Sequence, residues 1–150
     1  GLMFFSVRIG LISMLPNLIP IIFAAGYLGF SGIPIRPPIA ITFSICLGIA
    51  VDDSLHFLFR FWQERKITED LNKAVANTIE TTGLAMLTTT IVLVSGFLVI
   101  TVSSFIPTAQ FGVISAITLC VALITDITLL PALLILFPVK FLHKKNDQSN

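Results

Sequence analysis

The 150-residue chain is 55% hydrophobic and 11% charged, with a mean hydropathy of +0.98, which excludes an ordinary soluble domain. Nine basic and eight acidic residues leave a net charge of +1, and there is no basic tract beyond His143-Lys144-Lys145, so no nucleic-acid partner is expected. Cys46 and Cys120 both lie in apolar runs without pairing or metal-ligand spacing, and read as packing thiols.

In chain order, Gly1 to Val7 resembles the tail of a truncated span. The start at Gly1, with no charged leader or cleavage site, predicts a piece of a longer polytopic protein. Four runs then reach the length of about 20 apolar residues that a bilayer requires. They cover residues 11–30, 39–61, 84–102 and 111–137. Ser31 to Pro38, with Gly32 near its start and prolines at its end, reads as a tight turn. Ser103 to Gln110, around Pro107, reads as another. Residues 62–83 are more polar. Ile67, Leu71, Ala74 and Ile79 recur there near helical spacing, and Thr68 with Glu69 and Asp70 reads as a helix start. An amphipathic helix on the membrane face is expected. Residues 143–150 form a polar tail after a transmembrane domain of residues 1–142.

Arg8, Arg60, Arg65, Lys66, Lys73, Lys140, Lys144 and Lys145 fall on the side of the 62–83 segment, and only Arg36 on the other. By the positive-inside rule that segment and the C-terminus are cytoplasmic, in a multi-pass protein of the cell membrane.

The second span carries adjacent aspartates, Asp52 and Asp53. A charge at the bilayer centre costs roughly 2.5 to 3.5 kcal/mol on insertion scales. A pair is hard to explain unless something binds there, and a proton is the simplest ligand. At about 100° per residue, Thr42, Gly48, Asp52, Asp53, His56 and Arg60 share one arc, expected to face protein or a water-filled cleft. Phe43, Leu47, Val51, Ser54, Phe57 and Leu58 fall on the arc expected to face lipid. In the fourth span Ser115, Thr118, Ala122, Thr125 and Asp126 share an arc. Asp126 and Asp52 sit about ten and nine residues above the inner boundary, depths that allow one shared cavity.

Crowded carboxylates in a low dielectric cannot all be charged at once. One that holds a proton part of the time can load it on one side and release it on the other. His56, one turn from Asp52, is a residue type suited to join such a relay. Thr88, Thr89 and Ser95 of the third span, and Thr125, are candidate supporting hydroxyls. Against this, Asp126 also reads as a helix–helix contact, and Thr88 to Thr90 as hydroxyls bonded to their own backbone. No nucleophile–base pair, phosphate loop or metal set is present, so neither an enzyme nor a cofactor is expected.

GIAVDDSLHFLFRFWQE, Gly48 to Glu64, resembles the G-x-x-x-D-D/D-Y motif of resistance–nodulation–division (RND) superfamily transporters. Its form is similar to that of the mycobacterial-type large membrane proteins (MMPL) and bacterial predicted exporters, with Patched-like and sterol-sensing domains related. LPNLIPI, LTTTIVLVSGF, SSFIPTAQFG and TDITLLPALL fit in the same order. The resemblance implies half of an RND-type membrane domain, the last four spans of a six-span half, with the polar tail favouring the C-terminal half. It implies export of lipids or other hydrophobic compounds driven by the proton-motive force. Asp52 matches the principal proton-carrying aspartate, Asp53 its neighbour, and Asp126 a recurrent acidic position of the last span. The implied partners are the bilayer, the other half with its extracytoplasmic domains, and a hydrophobic substrate; a homo-oligomer is compatible with it. Two alternatives stay open: a sterol-sensing-like module that binds lipid without transport, and a SecD/SecF-like accessory of protein export. The second lacks its asparagine-rich continuation at Ser54-Leu55-His56.

Overall fold

A computed structural model describes residues 7–34 and 36–136, with side chains from residue 14 onward. The expected partial span at the N-terminus and the polar tail lie outside the described residues. Among the described residues five helices follow one another: α1 (Val7–Phe30), α2 (Pro37–Ile67), α3 (Leu71–Thr78), α4 (Leu84–Ile100) and α5 (Ile106–Leu136). Ile79–Gly83 is a π-helical turn that carries α3 into α4, so Leu71–Ile100 is one continuous helix. Pro37–Ile67, Leu71–Ile100 and Ile106–Leu136 are long and apolar enough to cross a membrane, and Met14–Phe30 is a shorter apolar stretch.

Large apolar side chains cover the outside. Phe30 is 97% exposed, and Ile22, Val99 and Ile124 are also largely exposed. Water does not tolerate so continuous an apolar surface, whereas hydrocarbon does. The chain is an all-α, multi-pass membrane protein.

Local chemistry sets the helix ends. At the end of α1, the Ile33 N–H donates to Leu28 O (3.2 Å) and the Gly32 N–H to Gly29 O (3.4 Å). Gly32 takes a φ of +63°, which a glycine adopts without strain. Ile33 then packs beside Leu28, closing the cap. Pro37 and Pro38 open α2, where a missing N–H costs nothing. The connection after α4 is shorter than expected. Pro107 does not break the chain, because it falls in the first turn of α5 and its fixed φ suits that position.

The 62–83 segment is not a separate surface helix. α2 continues to Ile67, the chain turns through Thr68–Asp70, and Asp70 rather than Thr68 caps α3, accepting from the Asn72 N–H at 3.0 Å. Ala74, Val75 and Thr78 are buried against α2, so the apolar face of this segment is met by protein.

α5 runs through the middle, packed against α1, α2 and α4. Two apolar clusters bracket its length. Ala24, Leu28, Ile39 and Ile114 form one. Phe57, Leu58, Phe61, Ala74, Val75, Met86, Leu130 and Leu134 form the other. α4 and α5 pack tightly at Gly112. A Cβ added there would stand 2.6 Å from Phe97 O and 3.1 Å from Thr101 Cγ2. The Phe97 and Phe111 rings meet edge to face beside it, with centroids 5.6 Å apart.

Gly112→Ala is therefore expected to destabilise the bundle by about 1–3 kcal/mol, as overpacking does. Gly96→Ala, whose Cβ would meet nothing within 4 Å, serves as control. Thermal melts in detergent compare the two, and equal melting temperatures would remove Gly112 as the determinant of α4–α5 spacing.

Candidate functional site

Between the two apolar clusters lies a buried polar layer. Asp126 of α5 is 1% exposed, and so is Ser54 of α2. The Ser54 hydroxyl stands 2.9 Å from Asp126 Oδ1 and 3.2 Å from Oδ1 of Asn17 on α1. Asn17 is also buried, set between Pro16 and Pro20. Three helices thus meet on one hydroxyl. Asp126 Oδ2 is buried and has no hydrogen-bond partner among the described residues. No cationic side chain pairs with Asp126 among them either. Further along the layer, the Ser115 hydroxyl reaches Thr42 Oγ1 at 3.5 Å, and Thr42 donates to Pro38 O at 3.2 Å.

On α5 the structure follows the helical period. Ser115, Thr118, Ala122, Thr125 and Asp126 are all buried, while Val113, Cys120 and Ile124 face outward. On α2 it does not follow the expected faces. The buried stripe is Ile39, Thr42, Cys46, Ala50, Ser54, Phe57, Leu58 and Phe61. Ser54, Phe57 and Leu58, expected toward lipid, are inside. Gly48 and Asp52, expected to face protein or a water-filled cleft, are exposed, whereas Asp53, His56 and Arg60 of the same arc do line a cleft. The reason is physical: aliphatic and aromatic side chains pack equally well against protein or lipid, so their presence does not say which one covers them.

Asp52 and His56 form a pair one turn apart, with His56 Nε2 3.6 Å from Asp52 Oδ1 and both side chains 70% exposed. Asp52 and Asp126 are separated by little depth, since Ser54 is only about 3 Å further along the axis. They differ in direction, Asp52 being exposed and Asp126 buried. Asp53 occupies the boundary. It lines a cleft of about 530 Å³ between α2 and the Leu71–Ile100 helix, with His56, Arg60, Thr81, Thr82 and Thr89.

The supporting hydroxyls turn to their own helices. Thr88 donates to Leu84 O (2.9 Å), Thr89 to Met86 O (3.0 Å), Ser95 to Ile91 O (2.7 Å) and Thr125 to Val121 O (2.8 Å). Thr89 alone of these four lines the Asp53 cleft. Among the described residues no three His, Cys, Asp or Glu side chains cluster to hold a metal.

Sequence reasoning missed several polar groups. Glu64, 8% exposed at its side chain, pairs with Arg60 at 2.8 Å and accepts from Asn77 Nδ2 at 3.1 Å. That bridge fastens the end of α2 to α3. Arg60, expected in the polar arc, is thereby committed to this bridge, with Thr81 Oγ1 3.4 Å from its Nε. Asn17 was also unassigned, although an amide inside an apolar span has to find a partner in neighbouring helices.

The family model for the MMPL family matches residues 21–148. A membrane protein of Methanocaldococcus jannaschii is 31% identical over 123 residues, covering 82% of this chain and 32% of the relative. The hopanoid transporter HpnN of Burkholderia multivorans is 37% identical over 97 residues, covering 61% of this chain and 10% of the relative. HpnN of Rhodopseudomonas palustris is 31% identical over 97 residues, covering 64% and 11%. The chain thus spans a third or less of the length of these relatives. No solved structure matches it. The family match covers both the aspartate pair of α2 and Asp126 of α5, in the order in which the motifs resemble RND-type transporters, and the chain belongs to the MMPL family.

Proposed function

We propose that this chain is the membrane part of an exporter driven by the proton-motive force, moving lipids or other hydrophobic compounds. Asp52 and Asp53 carry the protons, with His56 and Asp126 as relay partners. The observation that carries the reading is the layout of ionisable groups across one membrane helix. Asp52 stands on its outer face, Asp53 and His56 line the cleft at its edge, and Asp126 is buried on α5 behind it. Family membership and two relatives that are hopanoid transporters support both the activity and a hydrophobic cargo.

Asp52 points away from these five helices, with His56 beside it at the rim of the Asp53 cleft. A pair of polar side chains facing lipid is costly, so this face turns toward the remainder of the transporter. The relatives have ample further chain to cover it. Proton exchange there would drive rocking of the two helix bundles against each other. The Thr68–Asp70 turn and the C-terminus lie in the cytoplasm, where the basic residues gather.

Asp52→Asn and Asp53→Asn, made in the full natural protein, are expected to lower gradient-driven substrate flux into proteoliposomes by at least a hundredfold. Membrane insertion and melting should be unaffected. Flux that persists in both variants would overturn the assignment. Substrate binding that is indifferent to a pH gradient, with no flux in the parent protein, would favour a lipid-sensing module instead.

Thr88→Val and Ser95→Ala test the bystanders. Their hydroxyls are already donated to backbone carbonyls, so flux should stay within about twofold of the parent. A tenfold loss in either would place that hydroxyl in the relay.

A further inference from the structure

We propose that Ser54 is a positioning residue for proton exchange at Asp126, and that its hydroxyl passes the change of charge to Asn17 on α1. The inference rests on the reading of Asp126 as a relay group.

Ser54 has one hydroxyl proton and two acceptors within reach, Asp126 Oδ1 at 2.9 Å and Asn17 Oδ1 at 3.2 Å. It can donate to only one of them at a time. When Asp126 is ionised, the charged oxygen wins, because a charge-assisted hydrogen bond is roughly twice as strong as a neutral one. When Asp126 takes up a proton, Oδ1 becomes an ordinary carbonyl oxygen and that advantage disappears. The hydroxyl then rotates about its Cβ–Oγ bond toward the amide oxygen of Asn17. The carboxyl gains one O–H bond, and no covalent bond of Ser54 is made or broken.

The geometry also says where the proton is held. Oδ1 is engaged by Ser54, whereas Oδ2 is buried without a hydrogen-bond partner among the described residues. Oδ2 is therefore the oxygen that accepts it. The charged groups around Asp126 are few. From α2, the half-buried Asp53 precedes Ser54 in the chain, while Asp52 and His56 lie at exposed positions. The described side chains of α1 and all those of α4 carry no charge. α3 and the π-helical turn, also packed against α5, carry the exposed Lys73 and Glu80, and Arg60 and Glu64 of α2 pair with each other, so Asp126 itself sets the balance at the hydroxyl.

Asn17 is placed to receive the signal. It lies between Pro16 and Pro20, both fully buried. Each proline removes a backbone donor, so this part of α1 is held less firmly by its own hydrogen bonds and more by side-chain contacts. Making or losing the Ser54 bond changes the hold of α2 on α1 at that weak point.

The test uses the full natural protein in lipid nanodiscs, followed by infrared difference spectroscopy across a pH titration. The parent should show a carboxyl band that titrates together with a side-chain amide band. Asp126→Asn should remove the carboxyl band. Ser54→Ala should abolish the amide response and move the titration midpoint about tenfold in proton concentration. Ser54→Thr, which keeps the hydroxyl, should restore both. Asn17→Leu should remove the amide band while the carboxyl still titrates, and it stands in should Ser54→Ala not fold. An amide response that survives Ser54→Ala, a midpoint unchanged by it, or a carboxyl band that survives Asp126→Asn would each overturn the proposal. Flux measurements on the same samples report on transport separately, so the infrared bands decide the role of Ser54 even in a protein that moves no substrate.

Discussion

A carboxyl group buried inside a membrane bundle must find its hydrogen bonds in neighbouring helices, because hydrocarbon offers none. Asp126 meets that requirement through Ser54, and Ser54 in turn reaches Asn17. This one contact ties α5 to α2 and α2 to α1 at the level where the apolar clusters end. Leucine or valine could hold these helices together at any rotation. A hydrogen bond between particular atoms holds them at one, since removing either partner strands a buried polar group at a cost of about 1–3 kcal/mol.

Given that rotation, the rest of α2 follows from helix geometry. Successive residues turn by about 100°, so placing Ser54 inside puts Asp53 at the edge and Asp52 outside. Two neighbouring aspartates thereby acquire different surroundings. Asp52 meets His56 on the open face, and Asp53 enters the cleft beside the Leu71–Ile100 helix. A single helix presents ionisable groups to the outside, to a cleft and, through Ser54, to the interior.

The helical hairpin at the other end is held by different means. Glu64 is nearly buried yet satisfied on both oxygens, by Arg60 from its own helix and by Asn77 from α3. Phe57, Phe61, Ala74, Val75 and Leu134 pack beside it. The π-helical turn at Ile79–Gly83 lets α3 sit against α2 while α4 continues as a span. A polar surface segment and a membrane helix are thus one rod. The change from an amphipathic to an apolar pattern did not mark where the helix ends.

Composition and periodicity alone settled the class of the protein and the inner face of α5. A polar stripe on an otherwise apolar helix has only the protein interior to face, so Ser115, Thr118, Thr125 and Asp126 were readable in advance. The aspartate motif carried the family in the same way. The rotation of α2 was not readable. Its two faces each held apolar and polar residues, and a helical wheel gives angles between residues without saying what stands opposite them. Only the packing of α1 and α5 against α2 selected Ser54 for the interior and left Asp52 outside. Asn17, on a different helix and distant in sequence from both, became Ser54's neighbour for that reason alone.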